Sequence, residues 1–365
     1  MDPYKIKNTA QTISAILGSL ADDRGPLTAD TALKILFDRR LSSLESYKQG
    51  WDYLDYPSYE DFPELRNRKF VTFVSGGNKL TGHLFEQPSP KGIFLCVHGL
   101  TGLSEDVSSI FHAYFFRHGY DVLAIDLTAS GRSEGMKVKG LSQSGLDVRA
   151  AVEFLSTSPL SKLPLFLFGH SWGAYGIAAS LNFTDRPLAI FPMSGFTEPF
   201  EVMTELVKSK VSMGVEPTEP ALKAAMVKRD SEYAFLSGKQ GIEKAQGVYC
   251  LLIHGDHDDT VVPRASLFHA DYSRNGVEKY LMEGRGHGDV AASMESIAYI
   301  KQVKAANLPL YEAYKRNPSR MSPGERAEFA SSFNKMLTYV PDEALFQRIL
   351  DIADKLGQAS SYATF

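Results

Sequence analysis

The stretch from Leu165 to Gly176, LFLFGHSWGAYG, constrains this chain more than any other. An apolar run, Leu165 to Phe168, leads straight into Gly169-His170-Ser171-Trp172-Gly173, and the small apolar Ala174, Gly176, Ile177, Ala178 and Ala179 follow. The run reads as a strand and its continuation as a helix, so the chain must swing from one to the other within about one residue. Such a turn, a nucleophile elbow, forces its central Ser171 into a strained backbone conformation. Gly169 and Gly173 are what let strand and helix approach that closely. The strain holds Ser171 Oγ out at the carboxyl end of a sheet, next to the positive end of a helix.

The remaining texture supplies the sheet. Phe70–Val74 and Leu80–Phe85, with Gly76-Gly77-Asn78 between them, predict a hairpin. Ile93-Phe94-Leu95-Cys96-Val97 is too uniformly apolar for a half-exposed strand and belongs to a sheet buried on both faces, hence parallel. Helices are predicted over about 104–118 and 141–157, and further strands over 120–126, 188–191, 248–253 and 277–282. Strand and helix alternate throughout. The fold class is therefore α/β, a mostly parallel, doubly wound sheet with right-handed crossovers.

Three regions stand outside that alternation. Residues 196–246 contain no strand, only helical patterns over about 198–213 and 219–236 split by Glu216-Pro217-Thr218-Glu219-Pro220. This insertion follows a strand end on the edge that carries Ser171, so it is placed to cap the site. Its Phe196, Met203 and Met226, with Phe200, Val202, Leu206, Met213 and Leu222, would form an adaptable apolar roof over a substrate pocket. Residues 1–66 read as a helical flank, with one helix over about 5–20. A second runs from Thr28 and carries Leu33, Ile35, Leu36, Leu41, Leu44 and Tyr47 on one face. The aromatic segment 51–59 is expected to pack this flank on the main domain. Residues 307–365 form a C-terminal extension with helices over about 322–338 and 342–356, leaving 67–306 as the core. The flanks could extend the cap, cover a sheet edge or supply a homodimer contact.

Composition removes several function classes. The 365 residues carry a net charge of -4, which gives no basic footprint for nucleic acid. Cys96 and Cys250 each sit inside an apolar strand candidate and read as packing residues, with neither a disulfide nor a metal pair implied. The N-terminal twenty residues have no continuous apolar segment of the signal-peptide kind, and no run of about eighteen apolar residues predicts a transmembrane segment. A cytoplasmic location is the expectation.

A serine hydroxyl is a poor nucleophile until a base, itself oriented by a third group, stands beside it. The strand ending at Ile253 runs into His254-Gly255-Asp256-His257-Asp258-Asp259-Thr260-Val261-Val262-Pro263, three carboxylates at a strand end. Asp258, three residues past Gly255, is the chosen partner, and Asp256 and Asp259 are turn formers that bond local backbone. Asp256, His257 and Asp259 could also suggest a cation site, but the ligand alternation of a calcium loop is missing and no metal is expected. His287 follows the last strand between Gly286 and Gly288, where a loop of small residues lets it reach both Ser171 and a carboxylate. Of the other histidines, His112, His118 and His269 lie on predicted helices, and His98, His170 and His254 precede glycines or turns at strand ends. Two backbone amides are expected to hold a developing oxyanion: that of Trp172, directly after Ser171, and that of Leu100 in His98-Gly99-Leu100-Thr101-Gly102.

Through HGLTG, GHSWG, HGDHDDTVVP and GRGHG in that order, residues 68–305 resemble the α/β-hydrolase superfamily. Within it, Asp126-Leu127-Thr128-Ala129-Ser130-Gly131-Arg132-Ser133-Glu134-Gly135 resembles a loop of the lysophospholipase and monoacylglycerol-lipase-like group, except that Ala129 replaces its first glycine. The resemblance implies a lipase-like serine esterase with a Ser171, Asp258 and His287 catalytic triad and no cofactor. Its substrate would be a small-molecule carboxylic ester with an apolar acyl or alkyl part. Thioester or other acyl transfer, carbon–carbon bond hydrolysis, and a ligand-binding receptor of the same fold are the alternatives.

Overall fold

The uniformly apolar runs become the middle of one sheet. The computed structural model describes residues 28–208, 218–315 and 317–362. Its strands are β1 (Lys69–Ser75), β2 (Asn78–Phe85), β3 (Ile93–Val97), β4 (Asp121–Asp126), β5 (Leu165–His170), β6 (Ala189–Met193), β7 (Tyr249–Gly255) and β8 (Val277–Met282). Their order is β1-β2-β4-β3-β5-β6-β7-β8. β2 runs antiparallel to both neighbours, and the pairs from β4 to β8 are parallel. Gly76 and Gly77, at φ 55° and 86°, make the two-residue turn of the β1–β2 hairpin, a conformation a side chain would resist.

The helices α1 (Ala29–Phe37), α2 (Leu44–Gln49) and α3 (Trp51–Asp55) precede β1. α4 (Ser109–Arg117), α5 (Gln143–Thr157) and α6 (Trp172–Ser180) connect β3 to β4, β4 to β5 and β5 to β6. Between β6 and β7 lie α7 (Pro199–Lys208), α8 (Glu219–Asp230) and α9 (Gly238–Lys244). α10 (Met294–Ala306), α11 (Leu308–Ala313), α12 (Pro323–Ser331) and α13 (Glu343–Tyr362) follow β8.

Why the strands are apolar at every position is plain from the packing. Ile93, Leu95 and Val97 point into one core with Leu165 and Leu167, under α5 and α6. Phe94 and Cys96 point into the other with Phe166 and Phe168, under α4, α10 and α13. Strands sandwiched between two helical layers have no face left for polar residues. This is the α/β-hydrolase fold. Among the described residues no helix is long and apolar enough to cross a membrane.

Several expected helices are cut shorter by tertiary bonds. The helix beginning at Thr28, whose side chain caps it, stops at Phe37 instead of running on to Tyr47. There the Leu41 amide donates to the Ala129 carbonyl at 2.8 Å, and Arg40 donates to the carbonyls of Gly131, Ser133 and Gly135. The chain gives up helical bonds to grip the 126–135 loop, and Ser43 then caps α2. α8 ends at Asp230 because Ser231 takes φ 49°, and the crossover helix that packs on α6 is α9, inside the expected insertion. The C-terminal pattern over 322–338 divides into α12 and a turn of 3-10 helix at Lys335–Leu337, while α13 extends past 356. α10 was not foreseen from sequence. The helix expected over 5–20, Met213 and the Leu206 side chain lie outside the described residues.

The two flanks meet each other. Trp51 lies against Tyr311, with ring centroids 4.3 Å apart, and the buried Asp55 accepts from the Tyr311 hydroxyl at 2.5 Å. Tyr56, Tyr59, Phe62 and Leu65 then enter the second core, where the Tyr59 hydroxyl bonds His112 Nδ1 at 2.9 Å. α1 goes elsewhere and packs on α8.

Candidate active site

Ser171 occupies the junction of β5 and α6 at φ 55°, ψ -114°. For a residue with a side chain this backbone costs on the order of 1–3 kcal/mol. The surroundings enforce it. The Ser171 amide donates to the Met193 carbonyl at 2.9 Å, and α6 presses so closely on the sheet that a Cβ on Gly173 would lie 2.3 Å from the Val97 carbonyl oxygen. A Cβ on Gly169 would lie 2.7 Å from the Gly173 carbonyl carbon. A side chain at either position would push helix from strand and displace Ser171.

The loops after β7 and β8 are fastened to each other. His257 donates its amide to the Arg285 carbonyl at 2.9 Å, and the Gly284 amide reaches Asp256 Oδ1 at 2.7 Å. The buried Arg285 donates to Asp342 Oδ2 at 2.8 Å and to the carbonyls of Glu283 and Ala292. Asp342 immediately precedes α13, so the C-terminal extension holds this loop in place. Gly286 and Gly288 flank a histidine that is pinned at several points.

Within that frame Asp258 Oδ1 accepts the amides of Thr260 and Val261, both at 2.9 Å, and Oδ2 lies 2.9 Å from His287 Nδ1. His287 Nε2 lies 2.9 Å from Ser171 Oγ. An ionised carboxylate only accepts, so Nδ1 carries the proton and Nε2 is left to accept from the serine hydroxyl. All three side chains are buried. Burial would raise the Asp258 carboxyl, but the His287 imidazole and the Val261 amide outweigh it and hold the group well below the usual carboxylate range. Asp256 faces the Gly284 amide instead of His287.

Two further histidines surround the group. His170 donates Nε2–H to the His287 carbonyl at 2.8 Å, and His254 Nε2 stands 3.9 Å from Asp258 Oδ2. Burial pushes each of them down to about 4, so both are neutral near pH 7.

The Trp172 amide opens α6, where no helical carbonyl is available to it. The 98–102 loop lies alongside: a Cβ on Gly99 would be 3.4 Å from Ser171 Cβ. Thr101 adopts φ 65°, a genuine outlier for a β-branched residue. His98 steadies the loop, its Nε2 accepting the Leu127 amide at 3.1 Å while Nδ1–H donates to the Gly99 carbonyl at 2.7 Å. Among the described residues neither the Leu100 nor the Trp172 amide donates a hydrogen bond.

Beside this loop open two small adjoining recesses. Leu100 and Thr101 line the first, Met226 and Asp230 line the second, and Phe37, Leu141 and Met203 line both. Met203 and Met226 are thus brought together. Phe196 lines neither; its ring stacks on Tyr175 at 4.5 Å. Sequence reasoning missed Leu33, Leu36, Phe37 and Leu41, which come from the N-terminal flank. The spacing of Leu33, Leu36 and Phe37 marks a buried helical face, with nothing to say against what it is buried. Among the described residues no three His, Cys, Asp or Glu side chains converge as a metal-ion site.

Residues 88–193 match the model of a family described as serine aminopeptidase, S33, a span that carries both the 98–102 loop and Ser171. No curated protein matches the chain. Among solved structures, the Pyrococcus furiosus esterase Pf2001 aligns at 18% identity over 70% of this chain and 91% of its own, with a TM-score of 0.49. The α/β hydrolase GrgF from Penicillium sp. sh18 aligns at 16% identity over 66% and 96%, with a TM-score of 0.46. Est1E from Butyrivibrio proteoclasticus aligns at 15% identity over 66% and 99%, with a TM-score of 0.45.

Proposed function

We propose that this chain is a serine hydrolase that cleaves carboxylic esters with an apolar acyl part, through an acyl-enzyme on Ser171. The observation that carries the reading is the unbroken line of hydrogen bonds from Asp258 through His287 to a Ser171 held at φ 55°. Ser171 Oγ attacks the ester carbonyl carbon while His287 Nε2 takes its proton, and Asp258 steadies the imidazolium. The amides of Leu100 and Trp172 donate to the oxyanion. The imidazolium then protonates the departing alkoxide. In the second half a water, deprotonated by His287, attacks the acyl-serine, and collapse of that intermediate returns Ser171 and releases the acid.

In this reading residues 67–306 are the catalytic core, and α7 and α8 belong to a cap over the site that α1 completes. The apolar lining next to Leu100 is what favours an acyl chain over a polar group. A second reading, hydrolysis of a peptide amide, is favoured by the matched family's description. The thioester and carbon–carbon readings share the same chemistry at Ser171. A fluorophosphonate probe should label the protein at Ser171, and a panel of nitrophenyl esters, acyl thioesters and aminoacyl anilides should be turned over fastest as apolar esters. Labelling at another serine would remove the mechanism. Preferred cleavage of the anilides would replace the ester reading with the amide one.

A further inference from the structure

Asp230, the last residue of α8, turns its carboxylate inward and is only 6% exposed. Its Oδ2 receives the Ser142 hydroxyl. Its Oδ1 is shut off from solvent and has no hydrogen-bond partner. A buried acceptor left unpaired costs roughly 1–3 kcal/mol, and more if charged, so such a group is expected to have a partner. The side chain lines the second recess, whose apolar walls include Leu33, Phe37, Met203 and Met226. Phe37, Leu141 and Met203 are walls that it shares with the recess beside Leu100.

We propose that Asp230 Oδ1 is a distal specificity site, which receives a hydroxyl group carried at or near the far end of the substrate's acyl chain. The inference rests on the ester-hydrolase reading for which end of the substrate enters the recess. Its charge surroundings choose a neutral donor over an ammonium. Lys139 and Arg229 already act on Asp230, and both counter the rise, to about 6, that burial gives its carboxyl. Arg229 is itself committed to Asp38 and to the carbonyls of Val138 and Lys139, so it is not the missing partner. Lys139 and Arg229 already balance the carboxylates of Asp230 and Asp38, so an ammonium brought to Oδ1 would add an uncompensated charge, whereas a hydroxyl donates without adding any. A chain ending in methyl leaves Oδ1 unpaired, and discrimination by a buried polar group against a substrate that cannot pair it is large.

The rival role is structural, since the Ser142 bond ties α8 to the start of α5. The test separates the two. With the full chain, kcat/KM is measured for nitrophenyl esters of straight acyl chains from hexanoate to dodecanoate, each paired with its ω-hydroxy and ω-amino counterparts. The hydroxy-to-methyl ratio should rise above one at the length that reaches Asp230, and the amino form should stay below the hydroxy form. Asp230→Leu should lower that ratio tenfold or more. Ser142→Ala, which breaks the tie and keeps the carboxylate, should leave the ratio above one. Asp230→Ala, which removes both carboxylate oxygens without adding bulk, gives the same reading if the Leu variant does not fold. Calorimetric binding of 10-hydroxydecanoate against decanoate needs no turnover, so an Asp230-dependent preference there supports the site even if no ester is cleaved. A wild-type ratio below one at every length, or one that Asp230→Leu does not change, overturns the proposal while leaving the esterase reading standing. An amino form preferred over the hydroxy form overturns the choice of donor.

Discussion

The carboxyl edge of the sheet and the recess beside it are built from the chain in opposite ways. Along the edge, each group of the proposed machinery sits in or just after its strand: Ser171 after β5, Asp258 after β7, His287 after β8, Leu100 after β3. The recess takes its walls from α1, the 98–102 loop, the residues before α5, and α7 and α8. The edge is strained, with Ser171 and Thr101 both at positive φ, whereas the recess carries an unpaired carboxylate oxygen. Chemistry needs fixed atoms, and short segments at strand ends supply them. Selectivity needs a shaped volume, which exists only once distant segments have packed.

The sharpest break of that contrast is at the edge. Ser171→Ala should abolish probe labelling and reduce turnover by about 10⁶, the scale seen when one member of a triad is removed. Asp258→Asn should cost about 10⁴ by reversing the bond that sets the His287 tautomer. Asp256→Asn should cost far less, because its oxygen receives only a loop amide, that of Gly284. Steady-state kinetics of the three variants on one ester decide this; a crippled Asp256→Asn would put the acid in the wrong place.

Changes in the recess should redistribute rates among substrates. Each acyl methylene buried there is worth about 0.8 kcal/mol, roughly fourfold in kcat/KM, until the space is filled. Met203→Trp should bring the plateau of an acyl-chain series to shorter chains. Phe37→Ala, in a flank far from Ser171 in sequence, should shift the same series in the opposite direction. Acetate, too short to reach either side chain, should respond least. A series indifferent to Phe37 would mean that α1 is only a prop.

That same contrast governs what could be read in advance. Strands β3, β5 and β7 were legible because each is an unbroken apolar run, which only a two-sided sheet accommodates. That Ser171, His287 and Asp258 come together was legible because glycines and strand ends mark them. Phe196, expected to line the pocket, stacks on Tyr175 and lines neither recess; an apolar residue in an insertion looks the same in sequence whichever way it faces. Asp230 could not be found at all: its meaning depends on Ser142, 88 positions earlier in the chain. The end of α1 was hidden for the same reason, because the bonds that stop it come from the 126–135 loop.

A region with neither role offers a control. His112 is buried in the second core, on the far face of the sheet, and burial lowers it to about 3. Its folded value lies below the unfolded one, so its contribution to stability is complete above about pH 6.5 and is lost as pH falls toward the folded value. Across that window it should add about 1.4 kcal/mol per pH unit to the slope of stability against pH. Urea unfolding at pH 7 and pH 5 should show that slope, and His112→Gln should flatten it by this amount. Probe labelling of folded protein at pH 7 should persist in the variant, because the hydrogen bond of His112 goes to Tyr59 and to none of Ser171, His287 and Asp258. Equal slopes in the two proteins would show that His112 titrates normally.

The smallest effect tests strain away from the reacting atoms. Ala129 sits at φ 63°, at the position where the resembled loop carries glycine, and its carbonyl receives the Leu41 amide. A left-handed conformation costs an alanine roughly 1–2 kcal/mol, which glycine would avoid. Against that, Ala129→Gly removes a fully buried methyl worth about 0.8 kcal/mol and loosens the unfolded chain by about 0.5–1 kcal/mol. The terms nearly cancel, so stability should move by less than about 1 kcal/mol. Ala129→Val keeps the strain, adds bulk to a packed site and meets a stiffer backbone, so it should lose clearly more. Denaturant midpoints for the two variants make the comparison. If glycine destabilised the protein as much as valine, the buried methyl would matter and the backbone strain would not; the long-chain ester series should then be insensitive to the glycine change too. If instead glycine is neutral while long-chain selectivity drifts, the strain at Ala129 is what holds Leu41, and with it one wall of the recess, in register.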